Sequence, residues 1–148
     1  MWWPGTIRPA VIHDLGTTMD LYTTMVKLAG GQPPTDRVVD GLDLRPVLYG
    51  KGPSPRDTVF YYRGTKLFAV RKGPYKAHFI TQSGYGGDKP VEHDPPLLYH
   101  LGHDPSEKYD IAKDHPAIIA EILKEVERHR QGLVPGEDQL SRRITKGT

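Results

Sequence analysis

The chain has 148 residues, 36% of them hydrophobic and 26% charged, with a formal net charge of +2 and no cysteine. That length holds one modest core and leaves little room for two complete domains, and sixteen Gly with fourteen Pro favour short elements and many turns. The near balance of charge gives no basis for a nucleic-acid partner; the missing cysteines exclude disulfides and thiolate metal sites, and the sequence shows neither a membrane-length apolar run nor a signal-peptide pattern.

In chain order, turns at Pro4-Gly5 and Arg8-Pro9 lead into a short extended piece over residues 11–15. Thr17 then reads as an N-cap with Asp20 three residues on, a variant capping box, and Leu21, Met25, Leu28 and Ala29 follow at helical spacing. A helix over 18–29 is predicted, closed by Gly30-Gly31 and Pro33-Pro34. Asp40-Gly41 begins a turn, residues 44–49 suit one or two helical turns with Pro46 near the start, and Gly52-Pro53-Ser54-Pro55 is a linker.

Beyond that linker, strands are predicted over 58–62, 67–71, 75–81 and 97–101, with tight turns at Arg63-Gly64 and Lys72-Gly73-Pro74. They make an antiparallel four-stranded sheet. Residues 82–96, polar and rich in Gly and Pro, read as a long surface loop. A last helix follows over 116–131, with Pro116 in its first turn and Gly132 as its stop; Ile119, Ile122, Leu123 and Val126 form the stripe that packs on the sheet. The fold class is therefore α+β.

Several residue groups invite a chemical role. His100, His103 and Asp104 have ligand-type side chains, but they straddle a strand end and a turn, and turn chemistry explains them better than a metal. Asp36, Asp40 and Asp43 lack both the spacing of a calcium loop and its closing Glu, and turn and cap duties suit them. His13, His115 and His129 read as surface or capping residues. By alternation Tyr75, Ala77 and Phe79 share one face of their strand, and Lys76, His78 and Ile80 the other. There is no Gly-rich phosphate cradle and no Gly-x-Ser-x-Gly elbow.

Residues 2–7 (WWPGTI), 19–30 (MDLYTTMVKLAG), 36–50 (DRVVDGLDLRPVLYG), 59–63 (VFYYR) and 75–79 (YKAHF) form an ordered set. In that order and spacing they resemble the C-terminal third of type I sulfatases, closest to the arylsulfatase A and N-acetylgalactosamine-6-sulfatase branch. The resemblance implies that residues 1–52 are the tail end of a large alkaline-phosphatase-like α/β sulfatase domain. Residues 53–135 are then the small C-terminal domain with its sheet and packed helix, and 136–148 a disordered tail. It implies a parent that hydrolyses sulfate esters of sugars or aryl sulfates, exported or lysosomal-like, with a formylglycine nucleophile and calcium as its cofactors.

The formylglycine of such enzymes is made from Cys or Ser in a C/S-x-P-x-R stretch. This sequence has no Cys, and Ser54-Pro55-Arg56 has the wrong spacing. No catalytic or metal residue can be assigned to these 148 positions, no cofactor is expected in this chain, and the chain alone is expected to be inactive. Lys76 and His78 are the substrate-cleft candidates, beside the 82–96 loop, because positive groups on a cleft wall orient an anionic ester. The expected partners are a sulfated small molecule or glycan, with self-association through apolar surface at Trp2, Trp3, Leu21, Met25 and Leu28, and no nucleic acid or membrane. The alternative is a non-catalytic glycan-binding or assembly module from a truncated gene, with Tyr61, Tyr62, Phe68, Tyr75 and Tyr85 as a stacking face.

Overall fold

The computed structural model describes residues 3–84, 87–134 and 136. Trp2, Tyr85 and, apart from Gly136, the expected disordered tail lie outside the described residues. The chain divides into two compact units, Met1–Asp57 and Thr58–Thr148. Among the described residues no helix is long and apolar enough to cross a membrane.

The first unit holds α1 (Thr18–Leu28) and the short α2 (Arg45–Leu48), with Pro46 in the opening turn of α2. Residues 11–15, expected to be extended, lie outside regular structure. The capping box forms: the Thr17 N–H donates to Asp20 Oδ2 at 2.7 Å. Asp20 does more than cap, however. It is fully buried; its Oδ1 accepts the Leu42 N–H at 2.7 Å, and the Arg56 guanidinium closes on both oxygens at 2.6 to 3.0 Å. Burial alone raises an aspartate's pKa, but Arg56 and the N–H groups of Leu42 and Thr17 outweigh it and hold this carboxyl well below the usual carboxylate range.

Two threonines extend the same polar seam. Thr24 Oγ1 donates to the Asp20 carbonyl at 2.7 Å and accepts the Leu44 N–H at 3.0 Å, while Thr23 Oγ1 donates to the Gly41 carbonyl at 2.9 Å. Gly41 is required at this crossing, because a Cβ there would lie 2.3 Å from the Met19 carbonyl oxygen. Consequently α1 buries Asp20, Thr23 and Thr24, and Met19, Leu21, Tyr22 and Met25 are exposed, as is Trp3. The Asp43 carboxylate accepts the Arg45 backbone N–H at 3.1 Å and pairs with its guanidinium at 2.8 Å. The Gly-Pro-Ser-Pro segment is tied back too: Ser54 N–H donates to Asp14 Oδ1 at 2.8 Å and Ser54 Oγ to the Leu15 carbonyl at 2.6 Å.

The second unit is a four-stranded antiparallel sheet in the order β1 (Thr58–Arg63), β2 (Lys66–Lys72), β3 (Tyr75–Thr81), β4 (Val91–His100), followed by a single 3-10 turn at Ala112–Asp114 and then α3 (Pro116–Gly132). This is the α+β sheet and packed C-terminal helix that the sequence predicts. Gly73, at φ +54, opens the two-residue turn between β2 and β3, where a left-handed backbone suits the twist of a hairpin. One correction concerns β4, which starts at Val91 rather than 97 and shortens the predicted loop to 82–90. Its early half pairs Thr81 with Val91 and Ile80 with Glu92; its later half pairs His78 with Leu97. Residues 93–96 therefore bulge opposite Phe79 alone, which lets Pro95 and Pro96 sit where no ladder N–H is required.

The core lies between one sheet face and α3. Val70, Ala77, Leu98, Ala112, Ile119, Ile122 and Val126 are buried, with Phe60, Tyr75 and Phe79 packed around them. Leu123, predicted to be in the stripe, is 45% exposed. The buried arc is Ile119, Ile122 and Val126, flanked by the half-buried Ile118, and it runs on to His129, whose ring stacks on Phe60 at 3.8 Å and whose Nε2 is 2.9 Å from the Tyr62 hydroxyl. His129 is thus a packing residue and not the surface residue that its polarity suggested.

Two outcomes follow for denaturant unfolding of the chain. Ile122→Ala removes methylenes from a fully buried site and is expected to cost about 2–5 kcal/mol, whereas Leu123→Ala stays within about 0.5 kcal/mol. Arg56→Met leaves the Asp20 carboxylate buried without its cation and is expected to cost about 3–5 kcal/mol; adding Asp20→Asn recovers part of that loss. Equal losses in the single and double variants would show that the ion pair is not what sets the cost.

Candidate functional site

β3 is an inner strand, and its alternation divides the site from the core. Ala77 is buried under α3, while Lys76 and His78 emerge on the opposite face. The pairing continues each row across the sheet: His78 lies beside Ala69 and Leu97, and Ala69 beside Tyr61; Lys76 lies beside Arg71 and Tyr99. The His78 ring meets Tyr99 edge-on at 5.7 Å, and Lys76 Nζ lies 5.2 Å from the centre of the Tyr61 ring.

The residue that joins these two was not legible from alternation. Glu107, in the connection after β4, reaches back over this face, its Oε1 2.6 Å from Lys76 Nζ and its Oε2 2.6 Å from His78 Nε2. A carboxylate only accepts, so His78 Nε2 carries the proton. The connection holds Glu107 through Asp104, whose Oδ2 accepts the N–H groups of Lys108 and Tyr109 at 2.7 and 2.8 Å, and through Asp110, whose Oδ1 accepts those of Leu98 and Ala112 at 2.9 and 3.0 Å. The Asp104-Pro105 turn was the only signal in the sequence for this arrangement, and it says nothing about where a side chain three residues later goes.

Electrostatically the cluster is balanced. Burial pushes the His78 pKa below its ordinary value, an effect the Glu107 hydrogen bond only partly offsets and the Lys76 charge reinforces. Burial alone would raise Glu107, but the bonds from Lys76 and His78 lower it instead. At neutral pH the three groups are an ammonium, a carboxylate and a neutral imidazole. Nearby, Thr81 Oγ1 is 2.8 Å from His93 Nε2, and in the 82–90 loop the Ser83 N–H and hydroxyl both donate to Asp88. His100 and His103 do not make a chelating pair: their rings stack at 4.0 Å and His100 Nδ1 accepts the His103 N–H at 3.2 Å. Among the described residues no group of three or more His, Asp or Glu side chains is placed to hold a metal ion.

The sign of the pH dependence is fixed by these shifts. With a folded-state pKa below 6.5, His78 is neutral where the unfolded histidine begins to protonate, so its contribution is complete above that pH and is lost as pH falls below it. Glu107, also lowered, loses its contribution further down, in the carboxylate range. Thermal unfolding from pH 8 to 5 is expected to show a drop in stability that His78→Gln makes shallower, and the His78 ring is expected to titrate by NMR below 6.5. A titration midpoint above 6.5 would contradict the balance of burial against Glu107.

The family model describing the C-terminal region of aryl-sulfatase matches residues 54–147. Over 95% of its length the chain is 41% identical to N-acetylgalactosamine-6-sulfatase of Canis lupus familiaris, and over 82% of its length it is 40% identical to arylsulfatase A of Homo sapiens. It covers 31% and 27% of those two proteins, and so spans about three-tenths of the length of these relatives. Among solved structures, PsFucS1 sulfatase from Pseudoalteromonas sp. superposes with a TM-score of 0.75 at 25% identity, over 88% of this chain and 28% of that one. With a family match over more than half of its residues, this chain belongs to the sulfatase family, and what it holds is that family's C-terminal region.

Proposed function

We propose that this chain serves as the C-terminal part of an enzyme that hydrolyses sulfate esters, of sulfated sugars or aryl sulfates, supplying scaffold and cleft wall and no nucleophile. The observation that carries this reading is the 41% identity, sustained over 95% of the chain, to a protein named for removing a sulfate from an amino sugar. In support, the sequence offers no Cys and no Ser in a C/S-x-P-x-R stretch from which formylglycine could be made. Three carboxylates of the first unit, Asp20, Asp36 and Asp43, each already bind an arginine, which does not suit them to calcium. Formylglycine and calcium belong, on this reading, to the rest of a full-length enzyme. Lys76 and His78 are then wall residues facing the sulfated ligand.

The alternative, a non-catalytic assembly or glycan-binding module, draws on one observation, the exposure of Met19, Leu21, Tyr22 and Met25 along one side of α1. Contiguous apolar surface of that kind drives association.

Kinetics test the reading in two steps. The purified 148-residue chain is expected to give no turnover of a chromogenic aryl sulfate, and sustained turnover in rigorously purified protein would overturn the absence of a nucleophile. In a full-length sulfatase carrying this sequence, His78→Ala is expected to raise KM roughly three- to tenfold, on the order of one ligand hydrogen bond, with little change in kcat. An unchanged KM with a lowered Tm would make His78 a strand residue alone.

A further inference from the structure

Glu107 binds the two cleft-wall candidates in the way that an anionic ligand would. Each of its oxygens takes one donor, Lys76 Nζ on one and His78 Nε2 on the other, both at 2.6 Å. The side chains are largely sheltered, Lys76 and His78 at 18% exposure and Glu107 at 26%. A sulfate or sulfate-ester oxygen is likewise a pure acceptor, and the same ammonium and imidazole N–H suit it. The Tyr61 ring, beside Lys76 and partly exposed, offers a flat apolar flank to the sugar or aryl ring that bears such a group.

Two further observations set the Glu107 side chain apart from the loop that carries it. The loop is closed without it: Asp104 and Asp110 between them accept four backbone N–H groups, and the Glu107 N–H itself donates to the Asp104 carbonyl at 3.2 Å. Glu107 also sits at φ +53, the only non-glycine residue with positive φ among those described. A left-handed backbone at a residue with a Cβ is a strained state that persists where surrounding contacts hold it.

We propose that Lys76 and His78 form an oxyanion-binding site that the carboxylate of Glu107 occupies in the ligand-free chain, so that a sulfate group binds by displacing Glu107. The inference rests on the reading of this face as a cleft wall for a sulfated ligand, but it concerns binding and needs no catalysis. Its consequence is a threshold. The tethered carboxylate competes at a high effective concentration, so the intact chain binds a free oxyanion weakly, and removing the carboxylate exposes the site.

NMR titration of the 148-residue chain with sodium sulfate, against sodium chloride at matched ionic strength, tests this. Glu107→Gly, which deletes the competitor and suits the positive φ, is expected to bind sulfate at least tenfold more tightly than the parent, with shifts centred on Lys76 and His78. The gain is expected to vanish in Lys76→Met/Glu107→Gly. Inorganic phosphate separates a general oxyanion site, which takes both ions, from one selective for sulfate; either pattern supports the site. Equal sulfate affinity in the parent and Glu107→Gly, or a gain that survives Lys76→Met, overturns it. If Glu107→Gly fails to fold, the isosteric Glu107→Gln carries the same comparison. A gain in sulfate binding together with an unchanged KM for His78→Ala would sink the cleft-wall reading and leave the oxyanion site standing.

Discussion

In the first unit, the Asp20 carboxylate is the point on which the local structure depends. It caps α1 through Thr17, holds the 40–44 loop through Leu42, and receives Arg56 from the end of the unit. An aspartate with no solvent exposure is tolerable only when every lone pair has a donor, and here the donors come from three separate stretches of chain. That requirement decides which side of α1 faces inward. Asp20 and Thr24, four residues apart, lie on one helix face, so the face opposite the seam is left with Met19, Tyr22 and part of the apolar set. The amphipathic pattern of the helix is therefore inverted locally, and Met19, Leu21, Tyr22 and Met25 are exposed while Val26 and Leu28 are half-buried.

The second unit solves a different problem with the same chemistry. Its sheet has one face closed by α3 and a conventional aliphatic core. The other face of β3 presents an ammonium and an imidazole side by side, and two such groups at low exposure need an acceptor. Glu107 supplies it. Charge-assisted bonds of this length, about 1.5–3 kcal/mol each when sheltered and nearer 0–1 kcal/mol when exposed, are enough to hold a single loop side chain. They are small against the core, where Ile122, Leu98 and Val70 have no exposure at all.

Much of this was readable from the residues. Local rules found α1 with its capping box, the β2–β3 hairpin, β3 to the residue, and the limits of α3, because each depends on neighbours within a turn or on period-two alternation. What local rules did not reach, in four places, shares another cause. Pro95-Pro96 signalled a loop, yet a bulge opposite Phe79 lets β4 run through them. Leu123 was placed in the stripe by spacing, but the buried arc leaves it out and takes in His129, whose ring stacks on Phe60. Asp20 was seen as a cap, but its burial depends on Arg56, thirty-six residues on. Glu107 lies thirty-one and twenty-nine residues from its partners, a separation over which no periodicity carries information.

Those same long-range partners change what the cleft-wall candidates can do. Read from sequence, Lys76 and His78 suggested positive groups on a cleft wall that orient an anionic ester. With Glu107 bound to Lys76 and with His78 neutral, the cluster carries no net charge at neutral pH, and long-range attraction, which scales with net charge and is screened within about 8 Å at physiological salt, has little to act on. Any affinity for a sulfate group must then arise at contact range, by exchange of one acceptor for another on the same two donors. Selectivity in such a site comes from geometry: a carboxylate presents two oxygens in one plane, whereas a sulfate ester presents three in a tetrahedral array with a ring behind it. The strand spacing that sets Lys76 and His78 on one face, and the Tyr61 ring beside them, are the features able to tell those two shapes apart.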